Sequence, residues 1–259
     1  MDTQPPLHTG NSEPSGSALS GTLLYAGKSK KVYATDDPER VRVVFTDAVT
    51  AGDGAKRREF PGKGELAART SALLFRALAS KGIRTHFLRE LAPAEHLVRR
   101  VRIIPLEVVV RFLATGSLSR RLGIPEGRAL PFPLVELYYK SDALGDPLLT
   151  DDHVALLGLA SPEVVAYLKD EGRRAAEALR EIFAAVELIL VDVKFEYGET
   201  SEGEIVLADE LSPDSIRIWT KDGERLDKDR FRRDMGDLLE GYAFVYRRLA
   251  ERFPEFASP

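Results

Sequence analysis

The 259-residue chain contains no cysteine, which excludes disulfides, thiolate metal sites and cysteine nucleophiles at once. Its four histidines, His8, His86, His96 and His153, are scattered, and none forms an HExxH pair, so a zinc centre is not expected. No run approaches the about 18 consecutive apolar residues of a membrane span, and no charged stretch leads into an apolar segment at the N-terminus. A charge excess is lacking too: 37 Lys and Arg stand against 41 Asp and Glu, a net charge of −4. Basic clusters such as Lys56-Arg57-Arg58 and Arg99-Arg100 are short, offset by acids and without interleaved aromatics. Neither nucleic acid nor an acidic membrane is therefore expected as a partner. These absences lead to the expectation of a cytoplasmic protein.

What is present is an ordinary globular composition, 44% hydrophobic and 30% charged, at a length that allows one large domain or two packed lobes. Residues 1–20 are rich in Pro, Gly, Ser and Thr and read as a disordered tail. From Leu23 to about Thr46, β-branched residues and the Asp36-Asp37-Pro38 turn predict an antiparallel hairpin sheet. Residues 64–80 place Leu66, Leu73, Leu74 and Leu78 at helical spacing, closed by Gly82. THFLREL and EHLVRRVRIIPLEVVVRFLA return to strand chemistry, with Pro105 marking a bulge or an edge. Ser161-Pro162 supplies an N-cap and a first-turn proline for a helix to about Ala185. LILVDVKFEYG and EIVLADEL read as two strands around Glu202-Gly203. A final helix is predicted from about Lys228, with Phe231, Met235, Leu238, Tyr242, Val245 and Leu249 on one face. The expected fold class is α+β, with a β-rich N-terminal lobe over residues 21–112 and a mixed α/β lobe over 113–259.

Four stretches carry candidate chemistry. In LLYAGKSKKVYA, Gly27-Lys28-Ser29 matches the last letters of a P-loop, but Thr22 stands where the first glycine belongs, and strand rather than helix follows. A glycine at a hairpin tip with Lys28 and Lys30 on nearly one face is another way to hold phosphates; a hairpin with solvated lysines is the alternative. In LVDVKFEYG, Asp192, Lys194 and Glu196 alternate onto one strand face while Val191, Val193 and Phe195 take the other. LADELSPDS adds Asp209, Glu210 and Asp214. If the two strands pair, the carboxylates converge on a magnesium–nucleotide site; a surface sheet laced with salt bridges is the other reading. In VVVRFLATGSLSRRLGIPEG an apolar strand ends at Arg111 and Gly116-Ser117 opens a helix. Backbone N–H groups, the Ser117 hydroxyl and Arg111 could there bind a phosphate monoester. In SPDSIRIW, Arg217 follows a turn and suits a carboxylate or phosphate as a fork, or a surface ion pair.

These stretches, together with TAGDGAKRREFPGKGEL, YYKSDALGDPLL and LDKDRFRRDMG, occur in the order found in the phosphoribosylaminoimidazole-succinocarboxamide synthase (SAICAR synthetase) family. The resemblance runs from about Leu23 to Arg252. It implies a two-lobed SAICAR synthetase-like fold with kinase-like ATP-binding architecture, the ATP-binding lobe first and the metal and substrate site in the second. It implies a purine-biosynthesis ligase that uses ATP to join L-aspartate to the carboxylate of CAIR, the phosphoribosyl aminoimidazole carboxylate. The products are SAICAR, ADP and phosphate, formed through an acyl phosphate. Mg²⁺ is the implied cofactor and a homodimer the family's habit. The resemblance lays Gly27, Lys28 and Lys30 over the ATP phosphates and matches Glu196 and Asp209 to magnesium-binding positions, with Asp192 and Lys194 beside them. Arg111, Ser117 and Arg217 match ribotide-binding positions, and Lys140, Asp142 and Asp146 border that pocket. Asp53 and Lys56 fall in a loop that closes on the substrates, and Asp214 stands among the substrate-binding candidates. The chain departs from the family's pattern at Phe112, Ala67-Ala68 and Thr220, where asparagine, paired asparagines and aspartate are usual. A small-molecule kinase, which would need no aspartate, and a catalytically silent nucleotide-binding protein are the alternatives.

Overall fold

Three short strands, β1 (Leu23–Ala26), β2 (Lys30–Ala34) and β3 (Arg40–Phe45), open the computed structural model, which describes residues 21–51 and 56–257. The tail read over residues 1–20 lies outside the described residues. β1 and β2 turn tightly at Gly27, whose N–H donates to the Lys30 carbonyl at 2.8 Å. β3 alternates as its sequence requires: Val41, Val43 and Phe45 are buried, while Arg42 reaches outward to Glu95 at 2.9 Å. β4 (Ala48–Ala51) and β5 (Lys56–Glu59) form a separate two-stranded ladder and lead to α1 (Lys63–Ser80). β6 (Phe87–Ala92) and β7 (Glu95–Arg99) complete a five-stranded sheet of order β1-β2-β3-β7-β6. The small side chains of Ala67 and Ala68 let α1 lie close against Val41, Val43, Phe45 and Val98 of that sheet.

Arg100-Val101 carries the chain into the second half: β8 (Arg102–Leu113), α2 (Gly116–Leu122), β9 (Ala129–Tyr139), β10 (Leu148–Leu149), α3 (Asp151–Leu156) and α4 (Pro162–Ala184). β11 (Leu188–Glu199), β12 (Ile205–Ala208) and β13 (Ile216–Thr220) follow. The second sheet runs β10-β9-β8-β11-β12, with β13 also paired to β11. β8, which a division at residue 112 groups with the N-terminal lobe, is therefore an inner strand of the second sheet. Pro105 lies where the β8–β11 register shifts, between the Glu196–Glu107 and Gly198–Ile103 pairs, and this bulge is what admits a proline to an inner strand.

α4 covers one face of this sheet, with Leu168, Ala175, Leu179 and Ile182 sharing a core with Val108, Val110, Val193 and Phe195. Ser161 caps it by accepting the Val164 N–H at 3.4 Å. A Cβ at Gly172 would stand 2.8 Å from Val108 Cγ1, so the close approach of helix and sheet depends on that glycine. The other face of β11 is left for chemistry.

Two expectations change. Val191 is fully buried but falls outside the apolar cluster of Val193 and Phe195: the register against β13 shifts between Leu190 and Asp192, so Leu188 and Leu190 join Val193, Phe195 and Tyr197 there instead. The single final helix is two, α5 (Asp229–Arg232) and α6 (Leu238–Arg252). Asp234 at φ 54° and Gly236 at φ 98° break it, and Met235 between them is exposed. Asp237 then caps α6 by accepting the Leu239 N–H at 2.9 Å. α7 (Pro254–Ala257) packs back on α1 and α6. Among the described residues no helix is long and apolar enough to cross a membrane.

Candidate functional site

Asp192 of β11 stands directly opposite Arg111 of β8 on one side and Arg217 of β13 on the other. Residues opposite one another across a ladder share a face, so the three side chains meet over the sheet. Asp192 Oδ2 accepts from Arg111 Nη1 at 2.5 Å and from Arg217 Nη1 at 2.7 Å. Asp192 and Arg111 are buried, and buried charges persist only when partnered on every side. Arg111 Nε accordingly donates to Glu136 at 2.7 Å, and Arg217 Nε to Asp229 at 3.2 Å. Burial would lower the pKa of both arginines, but Asp192 and the second carboxylate on each more than reverse this, so both remain charged.

The free end of the Arg111 fork, Nη2, reaches Ser117 Oγ at 3.2 Å and the Tyr138 hydroxyl at 3.3 Å. Gly116 sits at φ 55°, and a Cβ there would lie 3.0 Å from Arg217 Nη2, so only glycine lets this arginine lie against the start of α2. Arg111, Ser117 and Arg217, suggested by two separate stretches of sequence, thus form one cationic, hydroxyl-lined pocket. Tyr138 joins them without a prior signal, because the LPFPLVELYY strand, with its two prolines, does not alternate cleanly.

Farther along β11 the carboxylates take lysines as partners. Lys194 Nζ donates to Glu107 at 2.8 Å and to Glu196 at 2.7 Å, and Lys140 Nζ donates to Glu196 at 3.1 Å. Glu196 pairs with Ala208 across the ladder, and Asp209, the next residue, adopts φ 62°. That left-handed turn brings its carboxylate to Lys30, which also meets Glu210 at 2.8 Å. Burial alone would push the Glu196 carboxyl up, yet Lys194, Lys140 and Lys30 outweigh it and hold the group at about 2. Burial likewise opposes the charge on Lys30 and Lys194, and their carboxylate partners raise both well above the ordinary lysine value. Asp192, Lys194 and Glu196 do share a face, and the surface-sheet reading fails because Asp192 and Glu196 are each only 4% exposed.

The remaining candidates divide. Lys28, beside Gly27 at the hairpin tip, spans the cleft to Asp142 at 2.7 Å. Asp146, at φ 46°, turns its carboxylate onto the Ser141 N–H at 2.8 Å and braces its own loop, while still lining the cleft. Asp214 is paired with Lys63 and accepts from the Tyr242 hydroxyl at 2.8 Å. Burial pushes its carboxyl up, but Lys63 and Lys228 hold it at about 2. Lys56 is engaged elsewhere, donating to the Phe231 carbonyl at 2.7 Å and to Asp234 at 2.6 Å. Asp53 lies outside the described residues.

These groups line a cleft of about 930 Å³ between the two sheets. Part of its lining is an apolar slot of Leu24, Val41, Val43, Val98, Val101 and Ile103. No motif announces such a slot, since ordinary β-strand residues build it. Lys228, Arg232 and His86 also line the cleft. Burial, aided by Lys30 against the pull of Asp209, lowers the His86 pKa to about 4, so the ring is neutral. The departures from the family pattern are packing residues: Phe112 lies in the core under the Arg180 guanidinium at 4.6 Å, and Ala67 and Ala68 sit beneath the first sheet. Thr220 Oγ1 accepts the Glu224 N–H at 3.1 Å in a turn. None of them lines the cleft. Among the described residues no group of three or more His, Asp or Glu side chains gathers to hold a metal unaided.

The profile of the SAICAR synthetase family matches residues 23–249. The chain is 51% identical over 227 residues to the phosphoribosylaminoimidazole-succinocarboxamide synthase of Exiguobacterium sibiricum, covering 87% of this chain and 97% of that protein. It is 48% identical over 228 residues to the synthase of Bacillus subtilis, covering 88% and 95%. Among solved structures, a SAICAR synthetase in complex with ADP aligns with a TM-score of 0.85 at 43% identity, over 88% of this chain and 97% of that one. The synthase of Ehrlichia chaffeensis aligns with a TM-score of 0.87 at 36% identity, over 92% and 99%.

Proposed function

The chain belongs to the SAICAR synthetase family, and from that premise we propose how its cleft performs the reaction. The protein is an ATP-dependent ligase of purine biosynthesis, joining L-aspartate to the carboxylate of CAIR to give SAICAR, ADP and phosphate. The observation that supports the residue roles is the polar face of β11, with an arginine pocket for a phosphate monoester at Asp192 and a carboxylate–lysine cluster at Glu196. A carboxylate is not amidated directly near neutral pH, because its leaving group would be oxide. In the proposed route, a CAIR carboxylate oxygen attacks the γ-phosphorus and the bond to the β-phosphate oxygen breaks, giving an acyl phosphate and ADP. The aspartate amine then attacks the acyl carbon, a proton is lost and phosphate departs. Such steps ask the protein mainly for positioning and charge stabilisation.

In this reading the adenine occupies the Val41–Val43–Val98 slot, and Gly27 lets the hairpin lie over the phosphates. Lys28 and Lys30 meet the phosphate charge from the hairpin, and Lys140 and Lys194 meet it from the second sheet. Arg111, Ser117, Tyr138 and Arg217 hold the ribotide phosphate, with Asp142 and Asp146 shaping the rim. Lys228 and Arg232 supply cations for the carboxylates of aspartate, and Asp214 keeps Lys228 in place, 4.0 Å away. The nucleotide lobe ends at Arg100-Val101, where the sheets change over.

The donor set fits Mg²⁺: Glu196 and Asp209 are hard carboxylates on neighbouring backbone, their charge here met by ammonium groups. Two protein ligands suit an ion that completes its shell with phosphate oxygens and water. When bound, it would neutralise charge on the transferring phosphoryl group. We further propose a cytoplasmic homodimer without nucleic-acid or membrane partners, in keeping with the family's habit and the net charge of −4.

The test is ADP release with CAIR and Mg²⁺, with and without aspartate. Sustained turnover is expected only with all three substrates. An equal steady rate without aspartate would mean a kinase, and no turnover with all three would mean a silent binder.

A further inference from the structure

Asp227, on the segment between β13 and α5, and Asp229, the first residue of α5, lie near Arg217, with 0% and 1% exposure. Their tasks differ. Asp229 grips cations that line the cleft: Oδ2 accepts from Arg217 Nε at 3.2 Å and Oδ1 from Arg232 Nη1 at 2.7 Å. Asp227 instead turns both oxygens on the backbone, Oδ2 accepting the Ile218 N–H and Oδ1 the Asp229 N–H, each at 2.8 Å. One carboxylate therefore ties the residue after Arg217 to the residue that grips Arg217. An asparagine could not do the same, since it offers one acceptor oxygen and a donor NH₂ that would face the second N–H. A fully buried carboxylate is a costly way to satisfy two backbone donors. The expense is intelligible if the tie serves the arginines.

We propose that Asp227 is a positioning residue for ribotide binding, fixing β13 against the start of α5 so that Asp229 presents Arg217 to the cleft in one orientation. This rests on the assignment of Arg217 to the ribotide end made above. The tie is sensitive to protonation. Burial and then the charge of Asp229 push the Asp227 carboxyl up to about 7, against the pull of its two backbone donors and of Arg217. The other titratable group coupled to it is Tyr242 of α6, whose phenol burial and Asp214 raise far above its ordinary value, leaving it neutral. A proton on one Asp227 oxygen turns an acceptor into a donor facing an N–H, so the tie loosens as the pH falls through about 7.

The experiment measures KM for CAIR and for ATP in the wild type, Asp227→Asn and Arg217→Ala, from about pH 8 down to about pH 6. Asp227→Asn should raise the CAIR KM about tenfold at the alkaline end, the worth of one hydrogen bond to a charged group, and leave the ATP KM within about twofold. The wild-type CAIR KM should rise as the pH falls, and by more than in Asp227→Asn, which lacks the part of the rise that Asp227 contributes. The phosphate monoester ionises near pH 6 on its own account, a contribution both proteins share and their comparison removes. If Arg217→Ala raises the CAIR KM while Asp227→Asn keeps the wild-type value and profile, the positioning role is overturned alone. If Arg217→Ala leaves the CAIR KM unchanged, the ribotide assignment falls and this proposal with it. Should Asp227→Asn not fold, a wild-type profile that follows phosphate ionisation and nothing more overturns the proposal.

Discussion

Replacing Glu196 by glutamine should separate the ion pairs this carboxylate makes in the sheet from its proposed role in holding a metal. Glu196 is 4% exposed and accepts from Lys194 at 2.7 Å and Lys140 at 3.1 Å. A carboxyl carried from its ordinary 4.5 down to about 2 is worth about 3 kcal/mol of folding stability at neutral pH. Because the folded pKa is depressed, that stability is complete above about pH 4.5 and is lost as the pH falls toward about 2. Glutamine keeps the shape and one acceptor but gives up the charge, so a loss of about 2–3 kcal/mol is expected at pH 7. In a chain of this size that lowers Tm by roughly 5–10 °C, with the gap to wild type closing in acid. Turnover should suffer more, by at least about 10²-fold in kcat, because the proposed Mg²⁺ would lose one of its two protein ligands. Thermal melts and ADP release with all three substrates, across a Mg²⁺ titration, measure the two effects separately. Wild-type kcat at equal Mg²⁺ would remove Glu196 from the metal site. An unchanged Tm at pH 7 would refute the ion-pair reasoning.

Gly172→Ala should cost about 1–3 kcal/mol, because its Cβ would stand 2.8 Å from Val108 Cγ1 and α4 must move off the sheet; an unshifted Tm would mean that the helix gives way freely. His86 and His96 are held neutral chiefly by burial, at about 4 and about 3. The unfolded chain takes up these protons from about pH 6.5 downward, so stability should fall as the pH drops from about 6.5 to about 4. Melts of His86→Phe should show a shallower decline over that window, and a slope identical to wild type would rule out His86 as its source.

Features decided by neighbours in sequence could be read in advance. Ser161-Pro162 starts α4 as its cap chemistry dictates, and the Val41–Phe45 alternation does build a half-buried strand. The β11–β12 hairpin sets Glu196 opposite Ala208, next to Asp209, but the left-handed Asp209 that turns its carboxylate to Lys30 has no such local signal. Features decided by distant pairing were hidden. Val191 was assigned to the face of Val193 and Phe195 because nothing local announces the register shift against β13. Met235 continued a helical stripe on paper, while the left-handed Asp234 and Gly236 end that stripe in space. The apolar slot escaped notice because it uses the same valines that any sheet uses. Asp227 had no reading of its own within LDKDRFRRDMG, and only the backbone donors on both of its oxygens set it apart.

β11 also works as a ruler. At about 3.3 Å per residue, the stretch from Asp192 to Glu196 sets about 13 Å between the arginine pocket and the carboxylate–lysine cluster. In the proposed reaction a single molecule must bridge that span, phosphate at one end and carboxylate at the other. A base without its ribose phosphate engages only one end, so it should fail through lost alignment even where the reacting carboxylate is intact. Inserting one residue between the two marks would do more than lengthen the scale. It would turn one end of the ruler to the opposite side of the sheet.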